Sequence, residues 1–150
     1  MAYSAMGAFA GLRSSACARL GMLAIDFRQW GVSIRADQAK SKRRGYIDGH
    51  PDALWEWLEW AREHAPEGFA LTKRAWDYRR GLVAEAAGVT MPHSALRHSF
   101  CTYHVALLGD AGKTATLLTH RGNVSILYEH YRGNATPARA QQWSGLVPAR

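Results

Sequence analysis

Long uninterrupted apolar runs are missing from this chain. The best candidate, residues 5–25, is cut by Arg13 and Arg19, so a membrane span does not fit. No basic segment precedes an apolar stretch at the start, and a signal peptide is not expected. Cysteine is scarce. Cys17 and Cys101 lie far apart inside apolar helical patterns and read as reduced core residues, not as a disulfide or metal pair. No histidines and cysteines cluster at metal-ligand spacing. Internal repeats, low-complexity tracts and long linkers are also absent. Acidic residues are outnumbered, 12 against 19 basic, which leaves a net charge of +7 and a pI near 9.8. That balance makes polyanions attractive partners, although solvated surface charge alone produces the same figure. The cytoplasm is the expected compartment.

What is present suits one domain. The 150 residues are 47% hydrophobic, enough for a sizeable core. Residues 5–24 read as one or two helices, with Gly7, Gly11 and Gly21 as weak points. Residues 26–30 read as a connector. Val32 and Ile34 alternate with polar neighbours, Tyr46 and Ile47 suggest a returning strand, and Lys40-Ser41-Lys42-Arg43-Arg44 forms a basic tip between them. Pro51-Asp52 opens a helix to about His64, with Leu54, Trp57, Leu58 and Ala61 on one face. Thr72 caps a helix that runs to Ala87-Gly88 and carries Lys73, Arg74, Arg79 and Arg80 on a basic side. Pro92 introduces a helix ending near Gly109. Further helices are expected over 113–119, 124–131 and 137–143, with Trp143 and Leu146 packing on a neighbouring surface. The fold class is mainly α with a small antiparallel hairpin, an α+β arrangement.

Chemistry concentrates in residues 92–133. Pro92-His93-Ser94-Ala95-Leu96-Arg97-His98-Ser99-Phe100 is followed by Leu117-Leu118-Thr119-His120 and then Leu127-Tyr128-Glu129-His130-Tyr131-Arg132. An arginine holds two oxygens of a phosphate, a histidine donates to a third, and a tyrosine oxygen attacks phosphorus. Each residue taken singly has a plainer role: a snorkelling arginine, an exposed histidine, a packed aromatic.

In order, these boxes resemble the tyrosine recombinase (phage integrase) family. Gly11-Leu12-Arg13 is similar to the family's first arginine box, and Leu96-Arg97-His98-Ser99-Phe100 to its second. Leu118-Thr119-His120 and His130-Tyr131-Arg132 are similar to the histidine and nucleophile boxes. The resemblance covers Gly11 to the end of the chain, including the tail from Thr136 to Trp143. It implies the recombinase catalytic-domain fold over 1–150, with the family's N-terminal DNA-clamping domain missing, as in a fragment. It also implies site-specific strand breakage and rejoining through a 3′-phosphotyrosyl link, acting on double-stranded DNA with self-association on it, and needing no metal or other cofactor because the ester stores the energy of the broken bond.

The implied catalytic residues are Arg13, Lys40, Arg97, His120 and Tyr131. Lys42 is the alternative to Lys40, and Tyr128 the alternative to Tyr131. Lys42, Arg43, Arg44, Arg121 and Arg132 are the implied DNA contacts. Three positions depart from the family pattern. Ser94 stands where a histidine is usual, with His93 one place early; Thr119 replaces a glycine; Ala16 replaces an acidic residue. Those departures leave two rivals: a decayed integrase that only binds DNA, and a basic helical interaction domain.

Overall fold

The computed structural model describes residues 1–37, 44–66, 69, 71–118, 124–131 and 135–149. The first apolar stretch starts at once and then breaks. Helix α1 spans Ala2–Ala10 and buries Tyr3, Met6, Phe9 and Ala10. It ends at Gly11, whose φ of +62° is a left-handed conformation that glycine adopts without steric cost. The short helix α2, Ser14–Cys17, follows, and then a 3-10 turn over Met22–Ala24. The expectation of one or two helices over 5–24, weak at Gly11, is thus met by α1 and α2, and is corrected only in its bounds: α1 starts at Ala2 and the second helix ends at Cys17. The apolar pattern is real, but Gly11 reverses the chain and divides it.

A second correction concerns 26–30. Ile25–Asp26 is a strand, β1, paired antiparallel with β2, Gly31–Ile34, and only the turn between them is a connector. Asp26 fixes that turn by accepting the Arg28 and Gln29 amides on Oδ1 at 2.9 and 3.0 Å. Strand β3, Gly45–Ile47, completes a three-stranded sheet in the order β1-β2-β3, with Val32 opposite Ile47 and Ser33 opposite Tyr46. The basic residues of the β2–β3 tip before Arg44 lie outside the described residues.

Helix α3, Asp52–His64, has the expected bounds, but its buried face carries Ala53, Leu54, Trp55, Leu58 and Ala61. Trp55 takes the inner place expected for Trp57. The latter sits at the edge, where its indole Nε1 donates to the Leu146 carbonyl at 2.8 Å. Leu146 thus meets α3 through its backbone, and its side chain is exposed.

Helix α4 spans Lys73–Ala86, capped by the Thr72 hydroxyl accepting the Ala75 amide. Helix α5, Ala95–Leu108, ends at Gly109 in the left-handed region. Asp110 caps α6, Ala111–Leu117, by accepting the Gly112 and Lys113 amides. Helices α7, Val124–Tyr131, and α8, Pro137–Ser144, follow.

The core forms where α1 packs against α3 and α5, and where α5 packs against α6, α7 and α8. Phe100, Met6, Leu20, Leu54 and Leu58 are its largest fully buried side chains. Cys17 and Cys101 are both buried, and neither is joined in a disulfide. Among the described residues no helix is long and apolar enough to cross a membrane.

Candidate active site

Helix α5 begins in a way that periodicity does not foretell. His93 and Ser94 both precede the helix, and Ser94 adopts φ +60°, uncommon for a residue with a Cβ. The Ser94 hydroxyl and His93 Nδ1 are hydrogen bonded at 3.0 Å. Helical phase, which would point residue 93 about 100° away from residue 94, therefore has no force here. His93, Ser94 and Arg97 line one pocket, with Ser14 and Cys17 of α2 and Trp76 and Arg80 of α4 on its other walls.

Of the Gly11-Leu12-Arg13 joint, Leu12 lines this pocket, whereas Gly11 and Arg13 are not among its described lining residues. The Gly11 and Leu12 amides both donate to the Met6 carbonyl, closing α1. A Cβ built on Gly11 would lie 2.4 Å from Phe100 Cδ1 and 2.7 Å from Leu118 Cδ2, so only glycine fits. Arg97 Nη1 donates to the Gly11 carbonyl across 86 positions of sequence. Three of the boxes singled out in the sequence, at Gly11, Phe100 and Leu118, meet at this one point. Arg13 follows directly. It is the extended N-cap of α2, and its carbonyl accepts the Ala16 and Cys17 amides at 2.8 and 3.0 Å. On the far side of Arg13, the Tyr3 hydroxyl donates to the Ser14 carbonyl.

Neither Cys17 nor Tyr3 is built to be a nucleophile. Burial pushes the Cys17 thiol up to about 12, more than the nearby Arg97 charge pulls it down. Burial likewise raises Tyr3, followed by the charges of Cys17 and Asp77, so its hydroxyl stays a proton donor.

The basic side of α4 divides in two. Lys73 pairs with Asp77 one turn on, and Arg80 turns inward, its Nη1 donating to the Met91 and Pro92 carbonyls at 2.8 and 3.2 Å. Arg74 and Arg79 remain exposed. Of the remaining expected residues, Arg44 is exposed just ahead of β3. Lys40, Lys42, Arg43, His120, Arg121 and Arg132 lie outside the described residues. Tyr128 and Tyr131 are described only by their places on α7.

Behind the site, α5 carries a buried polar layer that the sequence reading did not single out. His104 stacks on Phe100 with ring centroids 4.7 Å apart, and its Nδ1 is hydrogen bonded to Thr114 Oγ1 at 2.9 Å. His50 packs edge-on against the same Phe100, and among the described residues neither of its ring nitrogens has a partner. Burial lowers both imidazoles to about 4, and His104 pushes His50 the same way. Their folded pKa values thus lie below the ordinary 6.5, so the unfolded chain takes up more protons between pH 6.5 and 4. The stability they contribute is complete above pH 6.5 and is lost as pH falls toward 4, on the order of 2–3 kcal/mol per histidine. Thermal melts from pH 7 to 4 should record this loss, and His50→Leu should remove roughly half of it. An unchanged acid dependence in that variant would refute the assignment.

Compared with models of protein families, with curated proteins and with solved structures, the chain matches none of them.

Proposed function

We propose that this chain is the catalytic domain of a tyrosine-type site-specific DNA recombinase. The observation that carries the reading is the meeting at Gly11, where Arg97 grips its carbonyl and Phe100 and Leu118 close on its Cα. Three boxes whose order in the sequence resembles the recombinase set thereby touch at one point, through Gly11, Arg97 with Phe100, and Leu118, and that contact supports the reading. In the reaction, Arg13 and Arg97 hold the non-bridging oxygens of the scissile phosphate and offset the charge that builds there. His120 adds a hydrogen bond. Tyr131 attacks phosphorus, and Lys40, or Lys42 as its alternative, protonates the departing 5′ oxygen.

The Ser94–His93 pair offers an answer to the histidine missing at position 94. With Nδ1–H donating to Ser94, His93 Nε2 is left as an acceptor for the tyrosine proton. A hydroxyl from a second DNA strand then displaces the tyrosine and restores the phosphodiester, so the energy of the broken bond is retained.

The test is a suicide DNA duplex, nicked so that the short fragment bearing the freed 5′ hydroxyl diffuses away, incubated with the chain and resolved by denaturing gel. A covalent protein–DNA band resistant to boiling is expected. Binding to the intact duplex should weaken roughly a hundredfold or more between about 50 and 200 mM salt, because phosphate contacts release counterions. Salt-sensitive binding with no covalent band would favour the DNA-binding module without chemistry. An affinity that does not respond to salt, or none at low salt, would remove DNA as the partner.

A further inference from the structure

Helix α4 is attached to the body in an unusual way. Trp76 is its one buried side chain among the described residues, while Tyr78, Leu82 and Val83 are exposed. Yet two of the side chains it turns toward the site, Trp76 and Arg80, lie one turn apart on the same face, and each reaches a different half of the site. Trp76 stacks on Tyr3, ring centroids 4.4 Å apart and planes 20° from parallel. The Tyr3 hydroxyl in turn holds the Ser14 carbonyl, next to Arg13. Arg80 holds the carbonyls of Met91 and Pro92, immediately before His93, Ser94 and the start of the Arg97 helix. Its Nε is buried and has no hydrogen-bond partner among the described residues, while Nη1 makes both carbonyl bonds nearer the surface.

We infer that α4 sets the spacing between the two arginine-bearing segments, with Arg80 the positioning residue for the Arg97 side and Tyr3, backed by Trp76, for the Arg13 side. The inference rests on the recombinase reading for its catalytic consequence, though not for its mechanical one. Two arginines that share one phosphate must keep a fixed separation, and an error of about 1 Å in such an arrangement can lower a rate by about a hundredfold. Neither Arg80 nor Tyr3 touches the phosphate in this scheme. Both act by fixing backbone on either side of it.

Two substitutions remove the bonds and keep the shapes. Arg80→Met retains a long stem without donors, and Tyr3→Phe retains the ring on Trp76 without the hydroxyl. Amide hydrogen exchange reads the mechanical effect on the full chain. Arg80→Met should speed exchange tenfold or more at Ala95 and His98, the first amides of the α5 turn bonded to Pro92 and Ser94. Tyr3→Phe should do so at Ala16 and Cys17, bonded to Arg13.

Exchange in the last two turns of α5 should stay as in the parent. Single-turnover cleavage of the suicide duplex reads the catalytic effect. The rate constant for bound DNA should fall about ten- to a hundredfold while DNA affinity changes less than about twofold. Arg80→Lys, which can still reach a carbonyl, should recover part of the rate. A general loss of folded protein would reduce the yield of adduct and leave its rate constant alone.

Unchanged exchange at those four amides, or exchange raised evenly along the chain, would overturn the inference. A parent chain that forms no adduct would sink the recombinase reading, and the exchange measurement would still decide the role of α4.

Discussion

Arg97→Lys should slow formation of the covalent DNA adduct by roughly a hundredfold or more, with the folded population largely retained. Lysine keeps the positive charge, so a purely electrostatic role would survive the change. What lysine cannot do is present a planar fork, which on the proposed reading spans the Gly11 carbonyl and a phosphate. The substitution therefore removes geometry and leaves charge.

It also releases the Gly11 carbonyl, which costs about 1–3 kcal/mol if that oxygen finds no new donor. Melting temperature should accordingly fall by a few degrees, and the rate must be expressed per folded molecule. A variant that melts lower but cleaves at the parent rate would make Arg97 a structural tether of the joint and nothing more. The same outcome would detach the site from the recombinase reading, because that reading gives Arg97 a phosphate to hold.

The fold was legible wherever a local signal and the packing agree. Proline, threonine and glycine mark the ends of α3, α4 and α5, and the structure honours those marks because each satisfies or frees a terminal backbone group. Strand β1 was hidden because two residues are too few to show alternation; its pairing is imposed by β2. Trp55 and Trp57 both flank the Leu54–Leu58–Ala61 stripe, so periodicity allows either one to turn inward. Trp55 goes inside because Trp30 and His50 meet it there, while Trp57 finds the Leu146 carbonyl.

The site divides along the same line. Arg13 and Arg97 could be named from their boxes, but their supports could not. Nothing near Tyr3 or Arg80 in the sequence shows that one holds Ser14 and the other holds Met91 and Pro92, since those contacts span 11 or 12 positions and depend on how α1 and α4 dock. The one available hint was the spacing of Trp76 and Arg80, four apart on a helix with a single buried residue. His50 and His104 were missed for a related reason: a histidine shows its burial only when its neighbours in space are known.

Tyr131→Phe should abolish the covalent adduct, and Tyr128→Phe should leave it at a comparable rate. Their separations from His120 are 11 and 8 positions (131 − 120; 128 − 120), and that spacing does not choose between them. The helix does offer a criterion. Residues 124–131 form one helix, α7, which packs on α6 and on α5, the helix of Arg97. Its inward stripe is marked by Leu127, which is buried, and Val124, which packs against the core. At about 100° per residue, position 131 falls within about 10° of the centre of that stripe, and position 128 about 70° to one side. A nucleophile that must reach a phosphate held by Arg97 belongs on the side of α7 that faces α5. The inward stripe is also where a tyrosine would sit if it only packed, so position alone cannot be the proof. Covalent chemistry separates the two roles: phenylalanine fills the same space and cannot form a phosphate ester. Loss of the adduct in Tyr131→Phe, with melting temperature and DNA affinity within error of the parent, assigns the nucleophile. An adduct that persists there and vanishes in Tyr128→Phe transfers the role to Tyr128. An adduct that survives both substitutions removes tyrosine 128 and tyrosine 131 alike from the reaction.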